Sequence, residues 1–273
     1  MINYLFSLLF GVVQGLTEFL PISSSGHLLF FHELLNFNLI DSLSFDTALH
    51  LGTLLALLIF FRQDIIKYLR GFFRSFVQFN PKKDEEQRIG WLIVLSTLPA
   101  GLAGLFLENI IETLLRNLWV VAITLIGVGI LFILFEKLAQ QTAEIENLNW
   151  WQVLIIGVAQ ALALVPGVSR SGITIIAGMG LKLKRAVAAR FSFVLSAPIV
   201  LAAGLKKVYD LGQVGMNNEQ VLVFLVGLVS SAVIGYLAIK FLLKFLANHS
   251  LNYFAVYRIL LGLVIIIWLL VIN

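Results

Sequence analysis

The chain of 273 residues is 60% hydrophobic and only 12% charged, against roughly 25% charged residues in soluble domains. It has no cysteine, which excludes disulfides and thiol chemistry. Its net charge of +4 does not indicate nucleic-acid binding, because basic residues of a membrane protein mainly report which side of the bilayer they face. Several apolar runs reach the ~20 residues that cross a bilayer, so the sequence predicts an all-α, polytopic integral membrane protein.

The first half of the chain is predicted to begin with a broken helix. An apolar run over residues 2–20 ends at a proline, the break covers 21–25, and a short helix follows over 26–38. Three longer apolar runs then predict spanning helices over 46–61, 90–107 and 117–136.

The second half repeats this order. An apolar run over 151–165 breaks at 166–171, and a short helix continues to about Leu181. Three more spans are predicted over 187–207, 221–246 and 252–272. The chain is thus predicted to contain about six transmembrane helices plus two helix–break–helix units.

The two broken segments are related in sequence. Residues 11–26 align without a gap with residues 157–172, at an offset of 146, and seven of the sixteen positions are identical. The identical pairs are Gly11/Gly157, Val12/Val158, Gln14/Gln160, Leu16/Leu162, Ser23/Ser169, Ser25/Ser171 and Gly26/Gly172. Broken apolar helices in corresponding positions of two halves indicate a binding site near the bilayer midplane.

Each broken unit is predicted to be re-entrant, because the helix after the break is too short to cross a bilayer. Three spans separate the units, so they enter from opposite sides and form an inverted-topology repeat. We expect a single membrane domain, 1–273. Its repeats cover about 1–136 and 151–273, and a cytoplasmic linker covers 137–150.

The distribution of basic residues predicts the orientation of this arrangement. The loops around 62–88, 137–150, 182–190 and 240–250 fall on one face and carry fourteen lysines and arginines, whereas the opposite face carries three. Positive charge is enriched on the cytoplasmic side of membrane proteins. The basic loops are therefore predicted to be cytoplasmic.

The two breaks carry the polar residues with chemical potential. The first brings a carboxylate, an amide, three serines, a glycine and a histidine: Glu18, Gln14, Ser23, Ser24, Ser25, Gly26 and His27. The second brings an arginine among small and hydroxyl residues: Ser169, Arg170, Ser171, Gly172 and Thr174. Ionisable groups at membrane depth are costly and by default functional.

These residue types suit phosphoryl chemistry on a lipid. An arginine, hydroxyls and free amides at a helix start bind phosphate, and the oxygens of Glu18 and Gln14 could hold Mg²⁺ or Ca²⁺. A histidine can relay a proton, and a neighbouring serine can act as a nucleophile.

Structural readings of the same residues stay open. The serines and glycines could only allow close helix packing, Glu18 could simply pair with Arg170, and His27 could be satisfied by backbone. Asp46 and His50, four residues apart, could face the same cavity. In the last span, Arg258 could neutralise a carboxylate or help to hold phosphate.

The segments 14–18, 23–27 and 166–174 resemble the undecaprenyl-diphosphate phosphatase family, also called bacitracin-resistance proteins. The resemblance runs over the whole chain, including 191–198 and the pair Tyr257–Arg258. It implies an integral membrane phosphatase of the bacterial cytoplasmic membrane that removes the terminal phosphate of undecaprenyl diphosphate. The product is the lipid carrier reused in peptidoglycan synthesis. The resemblance also implies a need for Mg²⁺ or Ca²⁺, bacitracin resistance, and a catalytic cleft open to the outer face.

The resemblance also implies where the family's motifs lie in this sequence. The acidic motif corresponds to Gln14 and Glu18, the serine–histidine motif to 23–27 and the arginine motif to 166–174. Many members of the family carry a glutamate where this chain has Gln14. In this chain, Glu18 is therefore the one residue of the motif that is certain to bring a negative charge to a metal site.

In the expected mechanism, phosphate binds to Arg170 and to amides of Ser171, Gly172 and Gly26, with Ser24 as nucleophile and His27 as its base. Water, Ser25 or His27 as the attacking group are alternatives. The rival function is a lipid flippase or transporter, since inverted repeats with broken helices are typical of transporters. The expected partners are the lipid and the membrane, and a homodimer is left open.

Overall fold

The computed structural model describes residues 2–35, 42–214 and 217–272. Within those ranges the chain folds into eleven α-helices. It forms no β-sheet there, apart from one isolated β-bridge between Ala143 and Leu183. The helices are α1 Ile2–Phe19, α2 Ser24–Leu35, α3 Ser42–Phe60, α4 Arg62–Arg74, α5 Glu85–Ile110, α6 Leu118–Leu138, α7 Trp150–Leu162, α8 Arg170–Gly180, α9 Arg185–Val214, α10 Asn218–Leu246 and α11 Asn252–Ile272. A π-helical turn follows α5 over Ile111–Leu115, and a 3₁₀ turn lies at Ile145–Asn147.

The length and composition of the helices confirm an all-α polytopic membrane protein. Among the described residues, six helices are long and apolar enough to cross a membrane, namely α1, α5, α6, α9, α10 and α11. Five of them cover predicted spans. The sixth predicted span, 46–61, forms part of α3, which meets α4 at a bend of 81°. Helix α1 reaches spanning length although it was predicted as the first arm of a re-entrant unit. The end of the predicted helix 26–38 lies outside the described residues.

The two helix breaks share one local conformation at the serine that directly precedes the second helix. Ser23 and Ser169 both have a positive φ, 75° and 72°, a region that a residue with a side chain rarely occupies. Their hydroxyls accept hydrogen bonds from the amides of Gly26 and Gly172, at 3.3 and 3.2 Å, and thereby cap α2 and α8. Because these pairs are related by the sequence offset of 146, the shared geometry supports the internal repeat.

Helix packing follows the same correspondence. Helix α1 packs on α10, and its equivalent α7 packs on α5. Both contacts are too close for a side chain: a Cβ on Gly11 would lie 2.6 Å from the Gly227 carbonyl oxygen, and one on Gly157 would lie 2.5 Å from that of Ser96. Small residues let membrane helices approach closely, so the packing reading of the repeated glycine holds at this position.

Arg258 of α11 ties the two breaks together. Its guanidinium is fully buried and donates to the carbonyl oxygens of Pro21, at 3.1 Å, and Gly167, at 2.8 Å, which are equivalent positions of the two breaks. It also donates to Val168, Thr124 and Leu125 carbonyls. Among the described residues, Arg258 thus donates to backbone carbonyls and pairs with no carboxylate, so the expected neutralisation of a carboxylate is wrong. The reason is that each break leaves backbone carbonyls without helical partners. The alternative, that it helps to hold phosphate, stays a prediction.

Candidate active site

Glu18, near the end of α1, connects the two breaks. Its side chain is 8% exposed, and its Oε1 accepts a hydrogen bond from Nη2 of Arg170, at the start of α8, at 2.5 Å. Its Oε2 accepts from the hydroxyl of Ser24 at 2.7 Å and from Nε2 of Gln14 at 3.0 Å. The structure therefore brings together four predicted site residues, and the ion pair between Glu18 and Arg170 forms within the site.

His50 of α3 completes this cluster. Its Nδ1 lies 2.8 Å from Nε2 of Gln14 and 3.4 Å from Oε2 of Glu18. His50 and Asp46 line one cavity, as their spacing of four residues suggested. Asp46 pairs with His32 at 2.8 Å and with Arg116 at 3.3 Å. The sequence interpretation left His50 out of the site, and its only signal was the spacing with Asp46.

His27 is directed elsewhere. Its Nδ1 lies 2.7 Å from the Ser23 carbonyl oxygen, which can only accept, so Nδ1 carries the proton and donates. In the neutral ring Nε2 then accepts from the hydroxyl of Tyr257, at 2.8 Å, and the two rings are stacked. The hydroxyl of Ser24 donates to Glu18 instead. The expected pairing of Ser24 with His27 is therefore replaced by a pairing with Glu18, and the sequence interpretation missed Tyr257 as the partner of His27.

The amides of Gly26 and Gly172 already donate to the Ser23 and Ser169 hydroxyls, so they do not point freely at a phosphate as expected. In each helix, the amides of the two residues after the capping serine have no acceptor within the helix. These are the amides of Ser24 and Ser25 in α2, and of Arg170 and Ser171 in α8.

The remaining hydroxyls of the second break are engaged in packing. Thr174 is buried, donates to the Arg170 carbonyl at 2.7 Å and lies 2.5 Å from the Ser192 hydroxyl. The Ser171 hydroxyl contacts that of Ser169 at 3.2 Å and the Leu20 carbonyl oxygen at 3.4 Å. The structure thus places both side chains in contacts within the protein, whereas Ser25 is exposed and lines a cavity.

Two cavities reach the cluster. One, of about 210 Å³, is lined by Ser25, Asp46, His50 and Arg116 among others. The second, of about 310 Å³, shares His50 with the first and extends to Glu18 and Arg170. Arg116 lies in the connection between α5 and α6. The basic loop 62–88 lies at the opposite end of α5. The first cavity thus lies at the end of α5 that is remote from the basic loop 62–88.

Two atoms of the cluster lack a hydrogen-bond partner within the described ranges. Nη1 of Arg170 and Oε1 of Gln14 are buried and have no hydrogen-bond partner among the described residues. A guanidinium N–H fits a phosphate oxygen, and an amide oxygen fits Mg²⁺ or Ca²⁺. The part of the chain that the structure describes has no group of three or more His, Cys, Asp or Glu residues able to hold a metal. A cation here would therefore need oxygens from water and substrate as well.

Comparison with known proteins gives one family. The family model described as bacitracin resistance protein BacA matches residues 7–264. The chain is 46% identical to the undecaprenyl-diphosphatase of Rubrobacter xylanophilus over 96% of this chain and 97% of that protein. It is 42% identical to the protein of the same name from Thermomicrobium roseum, over 94% and 95% of the two chains. The undecaprenyl-diphosphatase of Anaeromyxobacter dehalogenans is 48% identical over 93% and 87%.

Proposed function

The chain belongs to the bacitracin resistance protein BacA family and is an undecaprenyl-diphosphatase, and we propose that it hydrolyses its lipid between the two helix breaks. The reaction converts undecaprenyl diphosphate to undecaprenyl phosphate and inorganic phosphate. We further propose that this recycles a lipid carrier for cell-wall synthesis. No observation favours the flippase alternative.

The observation that supports this site best is the three-residue contact of Ser24, Glu18 and Arg170. The Ser24 hydroxyl and the Arg170 guanidinium both donate to the Glu18 carboxylate, at 2.7 and 2.5 Å. Glu18 and Arg170 also line the cavity of about 310 Å³. A nucleophile held by a base, with a cation beside it, is the arrangement that phosphoryl transfer through an enzyme-bound intermediate requires.

In the proposed mechanism, Nη1 of Arg170 and the free first-turn amides of α2 and α8 bind the terminal phosphate. The Ser24 hydroxyl attacks the terminal phosphorus and its proton passes to Oε2 of Glu18. The bond from that phosphorus to the bridging oxygen breaks, and undecaprenyl phosphate leaves with the electron pair. Water then attacks the phosphorus of the phosphoserine, the bond from that phosphorus to the Ser24 oxygen breaks, and the proton on Glu18 returns to this oxygen. Inorganic phosphate leaves with the oxygen of the water. Direct attack by a water that Glu18 activates is the alternative.

The cation requirement is part of the proposal. Oε1 of Gln14 and the carboxylate of Glu18 would hold Mg²⁺ or Ca²⁺, which would offset negative charge on the phosphate oxygens. We expect a chelator to abolish phosphate release and added Mg²⁺ or Ca²⁺ to restore it. Release that persists unchanged after chelation would contradict a cation site.

We also propose that the protein lies in the bacterial cytoplasmic membrane with its cleft open to the outer face. The cavity lined by Arg116 lies at the end of α5 remote from the basic loop 62–88, which supports this orientation. A homodimer is not needed for the site, because Glu18, Ser24 and Arg170 come from one chain.

The function is tested with the purified chain and undecaprenyl diphosphate in detergent micelles. We expect equal amounts of inorganic phosphate and undecaprenyl phosphate, whereas a flippase would leave the head group intact. Glu18→Gln should abolish release, while Glu85→Gln, at a half-exposed carboxylate near Lys67, should leave it unchanged. An intact head group with the wild-type chain would overturn the proposal.

A further inference from the structure

Gln160 of α7 is a buried polar residue that the mechanism above does not use. It is 2% exposed, and neither its Oε1 nor its Nε2 has a hydrogen-bond partner among the described residues. An amide buried in this way destabilises a protein. Such a group is explained when a ligand supplies the missing partners.

The repeat explains why Gln160 is unpaired. It is the equivalent of Gln14, which donates to Glu18 four residues later. In the second repeat the position of Glu18 is occupied by Leu164, so the amide has lost its acceptor. Gln160 is nevertheless one of the residues that line the cavity of about 310 Å³, which also reaches Glu18, His50 and Arg170.

That cavity joins the charged cluster to an apolar wall. Besides the polar residues, it is lined by small and aliphatic residues of α5 and α9, namely Ala100, Ile199, Val200 and Ala203. A prenyl diphosphate has the same division, with a charged head and an apolar tail. The phosphate that carries the prenyl chain lies at the boundary between the two.

We propose that the Gln160 amide binds the chain-bearing phosphate, which is the phosphate retained in the product. The proposal rests on the proposed function. The terminal phosphate carries more negative charge and suits Arg170, whereas the inner phosphate suits a neutral donor. Nε2 of Gln160 donates to an oxygen of this phosphate, so the same contact is made with substrate and with undecaprenyl phosphate.

The test replaces Gln160 by methionine, which has a similar length and no hydrogen-bonding amide. Because the amide contacts substrate and product alike, we expect KM for undecaprenyl diphosphate and the inhibition constant of undecaprenyl phosphate to rise together, about 10- to 100-fold. We expect kcat to stay within about threefold and inhibition by inorganic phosphate to be unchanged. The thermal midpoint in detergent should stay the same or rise, because an unpaired buried amide is removed.

Gln87→Met is the matched control. Gln87 is equally buried, but its amide donates to the Gln78 carbonyl and accepts from the Asn80 amide, both at 2.9 Å. This variant should lower the thermal midpoint and leave KM and product inhibition unchanged.

Unchanged KM and product inhibition in Gln160→Met would overturn the inference. Phosphate release by the wild-type chain in the same assay would still support the proposed function. A fall of the thermal midpoint in parallel with activity would also overturn it, since that result indicates a structural role. No phosphate release by the wild-type chain would instead overturn the proposed function itself.

Discussion

At the scale of single residues, the site depends on the charge balance of Glu18. Its carboxylate is buried and is compensated by Arg170, with further hydrogen bonds from Ser24 and Gln14. A buried carboxylate of this kind is stable only while its partners are present. The same contacts hold the Ser24 hydroxyl against the oxygen that would take its proton.

Ser24→Ala and Ser25→Ala separate the nucleophile from its neighbour. We expect Ser24→Ala to lower phosphate release at least about 10³-fold, because the attacking oxygen is lost. Ser25→Ala should retain activity within about tenfold, because Ser25 is exposed and its hydroxyl contacts only that of Ser23, at 3.3 Å, among the hydrogen bonds of the described residues. Mass spectrometry of the acid-quenched wild-type enzyme should find phosphate on Ser24. Comparable activities of the two variants would exclude Ser24 as nucleophile.

Arg258→Met should destabilise the protein. The change removes donors to backbone carbonyls of both breaks, and buried acceptors left without partners cost about 1–3 kcal/mol each. We expect a lower thermal midpoint in detergent, whereas Arg62→Met, at an exposed arginine, should leave it unchanged. An unaltered midpoint in Arg258→Met would show that the breaks hold together without this side chain.

The sequence predicted the chemistry of the site better than its contacts. Glu18 and Arg170 stood out because an ionisable group at membrane depth is expensive. His50 and Tyr257 were missed because their contacts join different helices. His50 of α3 meets Gln14, and Tyr257 of α11 meets His27. Spacing along one helix cannot reveal a contact between different helices.

At the scale of elements, the two breaks are the positions where the sequence was most informative. Proline and a hydroxyl-rich turn predicted both interruptions, and α1 and α7 end close to the expected points. The sequence could not show that Ser23 and Ser169 would cap the glycine amides, because that requires the positive φ of both serines. The capping leaves only the two preceding amides of each helix without an acceptor in the helix, which is why the proposed phosphate site uses them.

Gly167→Ala tests the tight packing of the second break. Gly167 has a φ of +89°, and an added Cβ would lie 2.0 Å from the Thr124 hydroxyl and 2.8 Å from the Val121 carbonyl oxygen. Strain of this kind costs on the order of 1–3 kcal/mol, so the thermal midpoint and activity should both fall. Gly104→Ala, with nothing within 4 Å of the added Cβ, should keep both or raise the midpoint slightly. Equal behaviour of the two variants would contradict the described turn.

At the scale of the whole molecule, the two related breaks lie against each other, and their sequences differ at the positions for which we propose the chemistry. Equivalent positions Pro21 and Gly167 share Arg258, while Glu18 faces Leu164 in the alignment and Ser24 faces Arg170. The repeat boundaries and the opposite orientation of the two units stay predictions.

The orientation is tested with single cysteines, since the natural chain has none. In intact bacterial cells, a membrane-impermeant maleimide should label Glu112→Cys, beside the cavity mouth, and should label Lys83→Cys only after permeabilisation. The basic loop containing Lys83 should be cytoplasmic by the distribution of charge. Labelling of Lys83→Cys alone in intact cells would reverse the proposed orientation.

The central claim, that phosphate is removed between the two breaks, is tested most directly by phosphate release from undecaprenyl diphosphate by Arg170→Ala. Arg190→Ala is the control, because Arg190 is exposed and paired with Asp64. We expect Arg170→Ala to fold in detergent and to lose at least about 10³-fold in kcat/KM, whereas Arg190→Ala stays near wild type. Near-normal release by a folded Arg170→Ala protein would contradict the account.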